Sequence, residues 1–231
     1  MSNYRELKER AWLNNMELPK RNLVVYTFGN VSAIDRDRGV FAIKPSGVPY
    51  EELKPEDMVV VDLENNIAEG SLRYSSDTKT HTFLYNNFPE IGGVVHTHSP
   101  YSVAWAQAVR SIPIYGTTHA DHLTQDVPCT KIIDKESIKG DYEEETGKLI
   151  VKTFDNISYK EVEMVLVACH GPFTWGSTPE KAVYNSAVLE ELAKMALFTE
   201  QINKDAKKLN IDIINKHYER KHGKNAYYGQ A

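Results

Sequence analysis

The chain has 231 residues, 41% of them hydrophobic, and a formal net charge of -5, which suits one large domain with a proper core. Its basic residues are scattered or confined to the last predicted helix, excluding a nucleic-acid surface that works by counterion release, and no apolar run approaches a membrane span. The opening Met1-Ser2-Asn3-Tyr4-Arg5-Glu6 lacks a signal peptide's apolar core, and two cysteines, Cys129 and Cys169, fit a reducing compartment, so the expected location is the cytoplasm.

Residues 3–18 carry apolar Tyr4, Leu7, Ala11 and Leu18 among charges, the pattern of a helix that ends at Pro19. Residues 23–28 read as a strand, with Gly29-Asn30-Val31-Ser32 as the turn after it. Residues 40–43 form a second strand of a hairpin ending in Lys44-Pro45-Ser46-Gly47. Residues 58–63 form a third, followed by a Glu64-Asn65-Asn66 turn and a further strand from Ile67. Ser75-Ser76-Asp77-Thr78 has the small polar side chains of a helix start, and that helix runs to about Phe88, before Pro89.

Gly92-Gly93-Val94-Val95-His96-Thr97-His98-Ser99-Pro100 reads as a buried strand that Pro100 ends. Residues 101–108 then suggest a helix, Ile112 and Ile114 an extended piece, and residues 117–122 a polar loop or strand end. Residues 148–153 read as a strand, as do residues 164–169, broken by His170-Gly171-Pro172. Thr178-Pro179-Glu180 opens a helix reaching about Ile202, and a last helix carries His217, Arg220, Lys221 and His222. No repeat or linker divides the chain, so residues 1–231 are expected to form one α/β domain around a mainly antiparallel sheet.

His96 and His98 stand two apart on a strand, so both imidazoles face one way and make half of a metal site; an ordinary surface pair has the same spacing. His170 arrives at a second strand end, and Cys169 before it is expected as a buried thiol on the opposite face. Asp77 is either a helix cap or a carboxylate ligand beside three histidines, a donor set suited to Zn²⁺ and less specifically to Mn²⁺ or Co²⁺. Ser75-Ser76, Gly29-Asn30 and Ser46-Gly47 are each ordinary turn chemistry; together they fit a phosphate monoester. His119, Asp121 and His122 form either a rival metal cluster or acid-base groups.

These stretches, with Gly116-Thr117-Thr118-His119-Ala120-Asp121, His170-Gly171-Pro172-Phe173 and Lys216-His217-Tyr218 through Tyr228-Gly229-Gln230, closely resemble the L-ribulose-5-phosphate 4-epimerases of the class II aldolase and adducin superfamily. The likeness spans nearly the whole chain in order. It implies a three-layer α/β/α fold and a homotetramer with active sites between subunits. It also implies that Asp77, His96, His98 and His170 ligate a metal, usually zinc. Gly29, Asn30, Ser46, Gly47, Ser75 and Ser76 become substrate and phosphate contacts, Asp121 and Tyr228 the acid-base pair, and Thr117 and Glu143 further site residues. His217 and Arg220 are expected to approach from a neighbouring subunit.

The implied reaction interconverts L-ribulose 5-phosphate and D-xylulose 5-phosphate, a pentulose phosphate step such as arabinose catabolism uses. The C4 hydrogen is not acidic enough for simple removal, so the C3–C4 bond is cleaved, the aldehyde rotates, and the bond reforms on its other face. A cation stabilises the enediolate. One alternative is a sugar-phosphate aldolase, which by the same resemblance carries glutamate in place of Asp77; another is a non-catalytic adducin-like interaction domain, against which retention of all four ligand types speaks.

Overall fold

The computed structural model describes residues 3–224 and 226–227. In chain order the helices are α1 (Arg5–Lys20), α2 (Thr78–Asn87), α3 (Pro100–Gln107), α4 (Thr117–Ala120), α5 (Lys135–Lys139), α6 (Tyr142–Thr153), α7 (Pro179–Ile202) and α8 (Ile211–His222). The strands are β1 (Asn30–Asp35), β2 (Val40–Ile43), β3 (Val59–Asp62), β4 (Ile67–Glu69), β5 (Gly93–His96), β6 (Met164–Val167) and β7 (Gly171–Gly176). They form one sheet in the order β4-β3-β2-β1-β5-β7-β6, every neighbouring pair antiparallel.

Period-two alternation sorts the strand residues between two helical layers. Ala33, Val40, Ala42 and Val60 pack with Ala11 of α1, while Val31 and Val95 meet Leu18 of α1 and Ala182 and Val183 of α7. On the other face Phe41, Ile43, Val59, Val61, Val94, Phe173 and Trp175 join Leu84, Tyr85 and Phe88 of α2 and Ile150 of α6. The fold is therefore α/β/α around an antiparallel sheet, as expected. Among the described residues, no helix is long and apolar enough to cross a membrane.

Several local readings are corrected. Residues 23–28 form no strand: only Leu23 of the segment is buried, Val25, Tyr26 and Phe28 are exposed, and Tyr26 has φ +54°, which interrupts an extended run. The expected turn at Asn30-Val31-Ser32 is instead the start of β1, because its residues alternate into both layers. Pro19 lies inside the last turn of α1. Residues 117–120 are the one-turn helix α4 and residues 142–153 the helix α6. Asp141 caps α6 by accepting from the Glu144 amide, and the apolar residues 149–151 that suggest a strand form its inner turn. β7 was not anticipated, since Pro172 argues against a strand centre. The Cys169 thiol is exposed, not buried, because β6 ends at Val167 and Cys169 turns back with φ +61°.

Candidate metal centre and substrate pocket

β5 ends at His96, and because β1 and β7 pair with it on either side, Asn30 and Phe173 lie opposite His96 in the two ladders. The His96 ring stacks on Phe173 at 4.2 Å, and its Nδ1 lies 3.0 Å from the Pro172 carbonyl. A carbonyl only accepts, so Nδ1 carries the proton and Nε2 presents a lone pair. His98, beyond the strand, brings its Nε2 to 3.0 Å from His96 Nε2. His170 enters on the β6–β7 turn, its amide donating to the Val167 carbonyl. One ligand atom from each of these three imidazoles lies within 4.8 Å of the others.

The donor chemistry fits a cation. The buried His170 Nδ1 has no hydrogen-bond partner among the described residues. Burial and the neighbouring His96 push His170 down to about 4, and burial also lowers His98, so both are neutral, ligand-ready imidazoles at pH 7.

Asp77 stands immediately before α2, yet among the described residues its side chain makes no capping bond. Its Oδ2 instead accepts from Asn30 Nδ2 at 2.6 Å and from Ser75 Oγ at 3.3 Å. Burial opposes ionisation there, but His96, His81 and the Asn30 hydrogen bond together hold the carboxyl below its usual range. An ionised acid beside three imidazoles is a mixed nitrogen and oxygen donor set.

These groups line a cavity of about 470 Å³. Of the sequence-predicted residues, Gly29, Asn30, Ser46, Gly47, Ser75, Ser76, Asp77, His96, His98, Glu143 and His170 share it. Gly29 has φ +76°, and a Cβ there would lie 2.8 Å from the His96 carbonyl oxygen, so glycine lets the loop pass the end of β5. Asn30 donates to Ser75 Oγ as well as Asp77, leaving its buried Oδ1 without a partner among the described residues.

The cavity also holds residues the sequence reading missed, notably Thr27, Phe28, Lys44, Thr80, Tyr142 and Thr146. Lys44 is 1% exposed and lies over the Tyr50 ring at 4.9 Å; burial lowers it to about 8, so it remains a cation at neutral pH. A charged residue ending the apolar run Val40-Phe41-Ala42-Ile43 just before Pro45-Ser46-Gly47 was its available signal. Tyr142 gave none, because α6 was not foreseen.

Asp121, Thr117, His217 and Arg220 are not among the cavity residues. Asp121 follows α4, where its carboxylate accepts from His217 Nδ1 at 3.0 Å and from Arg220 Nε and Nη2 at 3.0 and 2.7 Å. Burial opposes the effect, but Arg220, His217 and Lys221 hold Asp121 below the ordinary carboxylate range. His217 and Arg220 thus meet Asp121 of their own chain. Thr117 is exposed at the start of α4, its carbonyl accepting from the Asp121 amide. Tyr228 lies outside the described residues.

Residues 13–197 match the model of the Class II Aldolase and Adducin N-terminal domain family. The chain belongs to the class II aldolase and adducin family. It is 50% identical over 225 residues to the L-ribulose-5-phosphate 4-epimerases UlaF of Salmonella paratyphi C (strain RKS4594) and Salmonella choleraesuis (strain SC-B67), an alignment covering 97% of this chain and 99% of each relative. Among solved structures, an L-fuculose 1-phosphate aldolase superposes with a TM-score of 0.79 at 22% identity, over 95% of this chain and 97% of the other. That identity speaks to the shared class II aldolase fold.

Proposed function

We propose that this class II aldolase family member is a metal-dependent L-ribulose-5-phosphate 4-epimerase, an isomerase that converts its substrate to D-xylulose 5-phosphate by C3–C4 cleavage, aldehyde rotation and re-addition. The observation that carries the reading is the convergence of His96, His98, His170 and Asp77 on one cavity in a chain 50% identical, over almost its full length, to proteins of that name. Those four side chains would hold zinc, with manganese or cobalt as substitutes. When bound, the cation supplies positive charge against the negative charge that develops on cleavage.

The remaining roles belong to the chain's own groups. Ser46, Gly47, Ser75, Ser76 and the Lys44 ammonium hold the phosphate, so that the aldehyde fragment is retained while it turns. Asn30 orients Asp77 through its amide nitrogen and offers its Oδ1 to a substrate hydroxyl, and Glu143 lines the same cavity. Asp121, kept ionised by Arg220 and His217, takes the C4 hydroxyl proton of one epimer, and Tyr228 serves the other. Because Asp121 stands apart from the histidine cavity of its own chain, the Asp121, His217 and Arg220 cluster, with Thr117, acts as a unit on the cavity of a neighbouring subunit in a homotetramer. Residues 1–231 form a single domain, working in the cytoplasm on a pentulose phosphate such as arabinose breakdown supplies.

The metal-loaded protein is expected to interconvert L-ribulose 5-phosphate and D-xylulose 5-phosphate without releasing fragments. Stoichiometric dihydroxyacetone and glycolaldehyde phosphate would identify a lyase instead.

A further inference from the structure

Helix α3 lies between two of the histidines and touches the path of both. Its first residue, Pro100, follows His98 by two positions, and near its other end the Ala106 carbonyl accepts the amide of Cys169, the residue before His170, at 2.9 Å. A displacement of α3 on its neighbours therefore moves His98 and His170 together. What seats the helix is the question its first turn raises.

The exposed amides of a helix's first turn need acceptors, and an N-cap side chain is the usual one. Here Ser99, the N-cap residue, makes no capping bond among the described residues, its hydroxyl being engaged by Thr97 Oγ1 at 3.3 Å. Pro100 has no N–H to satisfy. The Val103 amide reaches the Ser99 carbonyl at 3.0 Å. That leaves the amides of Tyr101 and Ser102, and both go to one carboxylate delivered from α7, Glu190. Its Oε1 accepts from Tyr101 N at 2.9 Å, and its Oε2 from Ser102 N at 2.9 Å and from Ser102 Oγ at 2.7 Å. Glu190 is only 8% exposed. One turn on, Trp105 Nε1 donates to the Ala193 carbonyl, so α3 is tied to α7 twice on the same side.

A buried negative charge at the positive end of a helix is stabilising, and its place is dictated by the amides it receives. We infer that Glu190 is a positioning residue of the candidate metal centre: by substituting for the missing N-cap of α3 it fixes the helix that spaces His98 from His170. This inference rests on the proposed reading of the histidines as cation ligands. Groups behind a ligand shell commonly change metal affinity by about 10- to 100-fold when altered.

The experiment titrates wild type, Glu190→Gln, Ser102→Ala and Met58→Ala with Co²⁺ against a chromophoric chelator and records the visible ligand-field spectrum of each, alongside its thermal midpoint. In Glu190→Gln one carboxylate oxygen becomes an amide donor facing helix donors. Its Co²⁺ affinity should fall by about tenfold or more, with altered band intensities, at temperatures where the protein is fully folded. Ser102→Ala removes one of the three bonds and should shift both readouts in the same direction by less; it decides the matter if Glu190→Gln does not fold. Met58→Ala opens a cavity under α1, in the other helical layer, and should lower the thermal midpoint while leaving Co²⁺ binding and spectrum unchanged. A folded Glu190→Gln, or failing it Ser102→Ala, with wild-type affinity and spectrum overturns the positioning role while leaving the metal centre standing. A wild-type protein that binds no Co²⁺ overturns both.

Discussion

At the histidine cavity the functional side chains come from sheet ends, a tight hairpin turn and the start of α2, whereas Asp121 follows a one-turn helix and is gripped by the cations of α8. The first arrangement fixes its members through ladders on both sides of β5 and through buried rings and carbonyls. The second fixes one carboxylate through an Arg220 ion pair and a His217 hydrogen bond, on a helix with a single buried residue, Ile214. The contrast teaches that the candidate ligand set and the Asp121 cluster are built as separate modules of one chain, the first on the sheet and the start of α2, the second between α4 and α8.

His98→Ala tests the first module and should have the largest effect: bound metal and epimerase activity lost together, activity by at least about 1,000-fold, checked by elemental analysis and a product assay. Asp121→Asn tests the separation itself. Turnover should fall by roughly 100- to 10,000-fold while metal content stays at the wild-type level; loss of metal from this variant would place Asp121 among the ligands. Lys44→Gln removes the buried ammonium of the cavity and should raise the KM for the phosphorylated substrate by about tenfold or more, with metal retained.

The smallest effect concerns stability rather than rate. Burial lowers His81 to about 3 and His119 to about 4, against about 6.5 for an unfolded imidazole. Below that value the unfolded chain takes up protons that these folded side chains refuse. Their contribution is therefore complete above about pH 6.5 and drains away as the pH drops toward 4, by at most about 1.4 kcal/mol per pH unit for each imidazole. Urea midpoints measured from pH 7.5 to 4.5 should fall below pH 6.5; a flat profile would mean that neither histidine stays neutral in the folded chain.

Long helices and glycine-flanked β5 were legible because periodicity and punctuation agree there: Thr178-Pro179 opens α7, and Pro89 follows the residue that closes α2. The segments that misled share an ambiguity of short apolar runs. Leu149-Ile150-Val151 fits either a strand or a helix turn, and the reading began at Lys148, past the acids 143–145 and the Asp141 cap that decide for a helix. The same oversight hid Tyr142 from the cavity. The histidines could be paired from spacing, since alternation alone aims His96 and His98 alike, but nothing local reveals that Asn30, rather than a helix amide, receives attention from Asp77. That contact joins residues 47 positions apart. The partner of Asp121 was likewise a tertiary fact, decided by where α8 folds back.

β5 carries a ladder on each flank, and this has a kinetic corollary. Freeing His96 means parting β1 and β7 from it at once, an event close to whole-domain opening, so amide exchange at Val94 and Val95 should report the slowest process in the molecule. Motion that opens the cavity is then left to lining residues outside the ladders, where Phe28, Ser46 and Gly47 are exposed, while β5 holds still.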